Sequence, residues 1–234
     1  YKDLLEYEIT PAVFSLDMAR AMDQAAKAAG KVLAVHIKVD TGMGRIGYAP
    51  TRESAEEIFR ISQLEHLRVE GMFTHFACAD MEDETYKDIT RQQFERYCQM
   101  EQWLEDMGLH IPLRHCANSA GIMDAPGMHK DMVRAGIILY GLNPSEEMPK
   151  EVLELKPVMS LKSHITYIKK VGPGHGISYG YTYVTPKETL VATVPVGYGD
   201  GYPRLLSNRG SVLIHGHRAP IIGRVCMDQF MVDV

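Results

Sequence analysis

Short apolar runs alternate with helical patterns through the first two thirds of the chain. Runs rich in β-branched residues at 9–14, 32–39, 69–76 and 113–117 predict strands, and a fifth strand is predicted near residues 132–134. Apolar residues at helical spacing lie between these runs. Ser15 is placed to cap the first helix, which Gly30 would end.

Further helices are predicted near residues 52–62, from about 85 to 107, and from Ser119 onwards. The five repetitions of strand and helix indicate a parallel sheet that is covered by helices. An open doubly wound sheet and a (β/α) barrel both fit this order.

The pattern changes at about Leu155. Runs at 160–171, 189–196, 211–215 and 219–225 are separated by Gly and Pro turns and have no helical period. We therefore predict an α/β domain over residues 1–154 and a mostly β domain over residues 155–234. Because the chain opens inside an amphipathic pattern and closes inside a predicted strand, we expect a fragment of a longer protein.

Composition excludes some partners. The 234 residues carry a net charge of -5, and the basic residues are scattered, which argues against nucleic acid as a partner. No apolar run reaches membrane-spanning length, so we expect no membrane segment here. The four cysteines form no CxxC pair, which favours reduced thiols in a cytoplasmic protein.

Chemistry-bearing residues follow the predicted strands, and the carboxyl ends of parallel strands are where active sites gather. Asn118 and Ser119 begin a short helix, and Gly136 and Ile137 offer unobstructed backbone N–H groups, so both segments suit a phosphate. The alternative is that Asn118 is only an N-cap and Gly136 only a turn.

Three charged or titratable residues lie in or beside apolar strands. Arg134 stays protonated and needs a buried acceptor, for which a structural salt bridge is the simpler explanation. His75 fits either a hydrogen-bonded core residue or a catalyst. Lys38 must be paired, neutral or chemically modified, because a buried unpaired ammonium costs several kcal/mol. A zinc site at His75 is not favoured, since it would lack a second histidine, and we predict no metal.

In the second domain, residues 172–183 combine glycines with tyrosines, including Tyr179. Such a segment fits either a Gly-rich hairpin or a backbone that approaches a ligand closely with a phenol as acid or base. Tyr198 is similarly placed, and the Met227-Asp228 pair follows another predicted strand.

Taken in order, these segments resemble the alanine racemase family. The matching segments are Lys38 to Arg45, Thr74-His75-Phe76, His115 with Asn118-Ser119, Val133 to Ile137, Ile177 to Gly180, Val196 to Gly201 and Arg224 to Gln229. The resemblance implies part of a (β/α)8 TIM-type barrel followed by a β domain, with pyridoxal 5'-phosphate as cofactor. The family's Lys-Ala-Asn-Ala-Tyr-Gly type motif, whose lysine bonds the cofactor, is not present. We therefore expect this chain alone to be inactive.

The resemblance also implies roles. Arg134 would face the pyridine nitrogen, and Tyr179, presented by the partner subunit of a homodimer with composite sites, would act as one of two bases, linked through His75 to Arg134. Lys38 would be carbamylated and would orient Arg45. The phosphate would be held by Ser119, Gly136 and Ile137 with Asn118 and His115 nearby, and the amino-acid substrate would meet Arg45, Met227, Tyr198 and Asp228.

The implied activity is interconversion of L- and D-alanine. This reaction would take place in the cytoplasm and would supply D-alanine for peptidoglycan. Three alternatives stay open: a serine racemase of the same fold, a non-catalytic pyridoxal-phosphate-binding barrel protein, and an unrelated phosphate-binding barrel enzyme.

Overall fold

The computed structural model describes residues 1–149 and 151–234. They form two compact units, Tyr1–Met159 and Ser160–Val234, which are described separately. Among the described residues, no helix is long and apolar enough to cross a membrane.

The first unit alternates strands with helices, as predicted. Its four strands form one parallel sheet in the order β1-β2-β3-β4. In chain order the elements are α1 (Lys2–Glu6), β1 (Ala12–Val13), α2 (Leu16–Ala28), β2 (Leu33–Lys38), α3 (Arg52–Ser62), β3 (Leu67–Phe73), α4 (Glu84–Asp106), β4 (Leu113–His115) and α5 (Ser119–Asp124).

Local chemistry explains where the helices begin. The Ser15 hydroxyl accepts the Met18 N–H at 3.3 Å, and Thr51 and Asp83 cap α3 and α4 in the same way. The helices then bury residues spaced three and four apart, such as Ala19, Met22 and Ala26 in α2. Each large apolar side chain buried in this core contributes roughly 1.5–3 kcal/mol through the hydrophobic effect.

The sheet register places the polar residues of the first unit. His36 pairs with Gly71 and Lys38 with Phe73, and Phe73 in turn pairs with His115. Because side chains alternate across a strand, His36, Lys38, Phe73 and His115 lie on one face of the sheet. The opposite face of β2 carries the buried Val35 and Ile37.

Two strands predicted in the first unit differ clearly from the structure. The run at 9–14 forms only Ala12–Val13. The strand predicted near 132–134 is wrong, because it is reduced to a single bridge between Met132 and His115. The N–H groups of Asp131 and Met132 both donate to the Arg114 carbonyl, so no regular ladder develops.

The second unit is mostly β, as predicted. A five-stranded antiparallel sheet has the order β5-β8-β11-β10-β9, and β6 and β7 form a separate hairpin in the Gly-rich segment. The main core of the second unit contains Ala192, Val194, Ile221 and Phe230. The strands are β5 (Tyr167–Val171), β6 (Gly176–Ile177), β7 (Tyr183–Val184), β8 (Thr189–Val194), β9 (Ser211–Ile214), β10 (His217–Ile222) and β11 (Phe230–Asp233).

Candidate functional site

The carboxyl ends of β2, β3 and β4 open onto one cavity of about 440 Å³ in the first unit. It brings together most of the residues that were predicted there from the strand ends. Lining residues include Met43, His75, Asn118, Ser119, Arg134, Gly136 and Ile137.

One corner of the cavity is built to approach an anion closely. The Gly136 N–H donates to the Ser119 hydroxyl at 2.9 Å, and a Cβ on Gly136 would lie 3.4 Å from that oxygen. Ser119 is the first residue of α5, and Asn118 caps this helix by accepting the Gly121 N–H at 3.0 Å. Asn118 is therefore an N-cap in this structure. Helix amides, a hydroxyl and a glycine turn together form a surface that suits a phosphate.

Arg134 is held by neutral groups. Its Nη1 lies 2.8 Å from His115 Nδ1, and its Nη2 donates to the carbonyls of Thr74 at 2.7 Å and Cys116 at 3.1 Å. Nη2 also lies 3.3 Å from His75 Nδ1. Among the described residues no carboxylate forms an ion pair with Arg134, so the salt-bridge explanation is wrong. Its positive charge is therefore oriented without being neutralised.

The two histidines beside Arg134 are held in the neutral form. Burial, and then the positive charge of Arg134, lower the pKa of His115 to about 3. Burial and the charges of Arg134, Arg45 and Lys38 lower the pKa of His75 to about 4. Neutral rings have a nitrogen lone pair that can accept from the guanidinium.

Lys38 is buried in β2, with 2% of its surface exposed, and its Nζ donates to the Val39 carbonyl at 2.7 Å. Burial lowers the pKa of this amine to about 8; Asp40 opposes the shift, and Arg45 and Arg134 add to it. The neutral amine is therefore easier to reach near neutral pH than for an ordinary lysine. Arg45 is exposed in the loop that follows.

The loop between Asp40 and Arg45 has a defined shape. The Asp40 carboxylate accepts the N–H groups of Gly42 at 3.1 Å and Gly44 at 3.0 Å. A Cβ on Gly47 would lie 2.6 Å from the Asp40 nitrogen, so only glycine fits where the loop closes. The loop thus holds Arg45 close to the end of β2.

Sequence reasoning missed the groups that tie these strand ends together. Gln93 of α4 is fully buried; its Oε1 accepts the Ala77 N–H at 2.9 Å, and its Nε2 donates to the His75 carbonyl at 3.1 Å. The hydroxyls of Thr41 and Thr74 lie 2.7 Å apart beside it. The available signal was a glutamine on the buried face of α4, in step with Tyr97, Met100 and Leu104.

Four predicted site residues belong to the second unit. Tyr179 begins a short 3₁₀ turn, Tyr179–Tyr181, and is 66% exposed. The turn is anchored by Ser178, whose hydroxyl donates to the Arg224 carbonyl at 2.7 Å. The tyrosine therefore projects from a fixed backbone.

The other three lie close together in that unit. The Gly199 N–H donates to the Met227 carbonyl at 2.8 Å, and the Tyr198 N–H donates to the Cys226 carbonyl at 3.0 Å. The exposed Asp228 follows Met227 directly. The Arg204 guanidinium lies 5.6 Å from the centre of the Tyr198 ring. Within the described residues, no three His, Cys, Asp or Glu side chains are grouped as metal ligands would be.

Two family models together match nearly all of the chain. The model for the N-terminal domain of alanine racemase matches residues 1–144, and the model for its C-terminal domain matches residues 158–234. Alanine racemase of Desulforamulus reducens is 53% identical over 232 residues, which are 99% of this chain and 62% of that protein.

Solved structures of alanine racemases are also similar to this chain. Alanine racemase from Clostridium difficile 630 is 46% identical with a TM-score of 0.89, and the match covers 99% of this chain and 60% of that chain. A structure from Bartonella henselae with covalently bound pyridoxal phosphate is 25% identical with a TM-score of 0.80, covering 100% and 62%. The chain thus spans about three fifths of the length of these relatives. The predicted fold, barrel-type α/β followed by a β domain, is confirmed.

Proposed function

This chain belongs to the alanine racemase family, and from that premise we propose that the whole protein interconverts L-alanine and D-alanine with pyridoxal 5'-phosphate. The observation that carries the proposal is the environment of Arg134. This cofactor has a ring nitrogen at one end and a phosphate at the other. The Arg134 guanidinium, which is held only by neutral acceptors, suits the ring nitrogen, and the corner formed by Ser119 and Gly136 suits the phosphate.

The residues of the cavity fit the cofactor. Ser119, Gly136 and Ile137 would hold its phosphate, with Asn118 fixing the start of α5 and His115 fixing Arg134. Bound pyridoxal phosphate supplies an electron-withdrawing ring that acidifies the Cα–H bond of an attached amino acid.

Arg134 would face the ring nitrogen. Because a guanidinium keeps its protons, it donates a hydrogen bond without giving up a proton, and the nitrogen beside it stays unprotonated. With that nitrogen unprotonated, the bound ring would withdraw electrons less strongly. Arg134 would thereby favour return of the proton to Cα over side reactions such as transamination.

Racemisation benefits from two bases, one on each face of Cα. We assign one face to Tyr179 of the partner subunit, so the active unit is a homodimer with composite sites. His75, whose Nδ1 lies 3.3 Å from Arg134 Nη2, would connect Tyr179 to Arg134. The family's lysine motif for the other face is not among these residues, so residues 1–234 alone should not racemise alanine.

We assign substrate binding to Arg45 and Met227, with Tyr198 and Asp228 lining the same pocket. Lys38, whose pKa is lowered to about 8, would react as its neutral amine with carbon dioxide, forming an N–C bond and releasing one proton to solvent. The resulting carbamate would carry a negative charge that orients Arg45.

The proposed activity also implies a role and a location in the cell. We place the reaction in the cytoplasm, where D-alanine would be supplied for peptidoglycan. Residues 1–154 would form part of the barrel that binds pyridoxal phosphate, and residues 155–234 would form the β domain that presents Tyr179.

The test is to purify the whole protein with pyridoxal phosphate and to measure D-alanine formed from L-alanine. We expect a yellow protein that racemises alanine faster than serine, whereas Arg134→Leu should lose most activity. A colourless wild-type protein without racemase activity would refute the proposal. Faster turnover of L-serine would instead identify a serine racemase.

A further inference from the structure

A chain of close contacts runs from Arg134 through two histidines to an acid. Arg134 Nη1 lies 2.8 Å from His115 Nδ1, and His115 Nε2 lies 2.9 Å from His36 Nδ1. His36 Nε2 then faces Glu70 Oε2 at 3.8 Å. The participating strands β2, β3 and β4 are neighbours in the sheet, so three strands contribute one residue each.

The donors and acceptors along this chain fit one proton arrangement. A guanidinium has no acceptor, so His115 must accept from Arg134 at Nδ1 and carry its own proton on Nε2. That N–H must find an acceptor, which is His36 Nδ1. His36 then carries its proton on Nε2, directed towards the Glu70 carboxylate. Arg134 at one end therefore imposes this tautomer on both rings, and the negative charge of Glu70 at the other end, 3.8 Å from His36 Nε2, favours it.

Packing holds both rings in this orientation. A Cβ on Gly71 would lie 2.7 Å from atoms of the His36 ring, so only glycine leaves room for this ring across the strand pair. The His115 ring stacks on Phe73 with centroids 4.8 Å apart and an angle of 2° between the planes. His115 is only 4% exposed, which makes an unmatched N–H on it costly.

We propose that His36 and Glu70 are positioning residues, which keep the His115 proton on Nε2 so that its Nδ1 orients Arg134. Arg68 supports Glu70 by donating from Nη2 to Oε1 at 3.2 Å. We call Arg134, His115, His36 and Glu70 the relay. Its relevance to racemisation rests on the proposed function, whereas the proton arrangement itself does not.

The tautomer can be measured directly in the cofactor-free protein. Imidazole ¹⁵N chemical shifts distinguish a protonated from an unprotonated ring nitrogen. In the wild-type protein His115 should show a protonated Nε2 and an unprotonated Nδ1. To remove the influence of Arg134, the same spectrum is recorded in Arg134→Met and in this variant combined with His36→Gln or His36→Leu.

Glutamine keeps a carbonyl acceptor at position 36, along with an amide donor, and leucine removes both, so only the glutamine variant can still accept the His115 Nε2 proton. His115 should keep its Nε2 proton in Arg134→Met alone and with His36→Gln, and should become a mixture of tautomers with His36→Leu. His66→Leu is the matched control, because His66 also lies beside a carboxylate, with Nδ1 3.7 Å from Asp23 Oδ1. It should leave the His115 spectrum unchanged.

Kinetics then test the consequence for catalysis. In the whole enzyme with Arg134 intact, His36→Leu should lower kcat on the order of tenfold to a hundredfold with a smaller change in KM, because a displaced guanidinium misorients the reacting centre. His36→Gln should recover most of this loss, and Glu70→Gln should give a smaller decrease.

The relay is overturned if wild-type His115 carries its proton on Nδ1, or if glutamine and leucine at position 36 give the same tautomer in the Arg134→Met background. Absence of racemase activity in the wild-type enzyme overturns the proposed function instead. The two failures are therefore distinguishable, since the spectra decide the relay without any turnover.

Discussion

The neutral histidines beside Arg134 predict that the first unit loses stability in mild acid. An ordinary histidine takes up a proton near pH 6.5, but the pKa of His75 is lowered to about 4 and that of His115 to about 3, mainly through burial. Between pH 6.5 and 4 the unfolded chain therefore binds more protons than the folded chain. Stability must fall as the pH is lowered through this window.

The size of the effect follows from these values. Relative to pH 7, shifts of this size lower the free energy of unfolding at pH 5 by at most about 2 kcal/mol per histidine. The His115 contribution applies nearly in full, because this residue is 4% exposed. That of His75 is smaller, since it is partly exposed and solvent screens its interactions. Carboxylates with a lowered pKa, such as Asp40 and Asp131, add little, because they begin to matter only below about pH 4.

Urea denaturation can measure this loss. Trp103 is the single tryptophan of the chain and lies in α4, so its fluorescence reports on the first unit. The wild-type protein should lose about 2–4 kcal/mol between pH 7 and pH 5, and His115→Gln should reduce that loss by about 2 kcal/mol. His110→Gln, with the side chain 71% exposed, controls for loss of a surface histidine. A wild-type loss below about 1 kcal/mol, or an unchanged pH dependence in His115→Gln, would refute the reasoning.

Three further predictions concern Lys38, Tyr179 and Gly197. Because the pKa of Lys38 is lowered to about 8, uptake of ¹³C-labelled carbon dioxide, followed by carbon NMR, should rise as the pH is raised from 7 to 9. Lys38→Ala should lose this signal and regain activity when a small carboxylate is added; an unchanged signal would place the carbamate elsewhere. Tyr179→Phe should slow deuterium exchange at Cα for one enantiomer of alanine, whereas equal slowing for both would contradict the two-base assignment. Gly197→Ala should destabilise the second unit by about 1–3 kcal/mol in thermal denaturation, because the added Cβ would lie 2.2 Å from the Met227 carbonyl oxygen. Gly172→Ala is the control, since its nearest neighbour would be 3.9 Å away, and equal effects would show that this contact is unimportant.

The helices could be predicted because their signals are local. Ser15 and Thr51 cap helices whose buried residues follow within one or two turns, so a short stretch of sequence contains both the start and the packing face. Strand limits depend on a neighbouring strand instead. Ala12–Val13 pairs only with His36 and Ile37, and nothing in residues 9–14 indicates that pairing stops there.

The sequence could predict which residues form the candidate site, but not which groups each of them hydrogen-bonds. Arg134 stands out as a charge in an apolar segment, which requires an acceptor but does not identify it. The acceptors at Thr74 and Cys116 are backbone carbonyls, and their direction depends on the register of β3 and β4. Gln93 illustrates the same limit, since its buried position on α4 is visible in the helical period while its contacts with the loops are not.

The identity of these acceptors matters for what Arg134 can do. A carboxylate partner would largely cancel the charge of the guanidinium, and would raise rather than lower the pKa of nearby histidines. Carbonyls and neutral rings fix the direction of Arg134 while leaving its net charge, and this uncancelled charge helps to lower the pKa of both His75 and His115. The lowered pKa values in turn keep the rings neutral, so that they can continue to accept from Arg134. Arginine and histidines therefore stabilise each other's functional state, which an ion pair at the same position could not achieve.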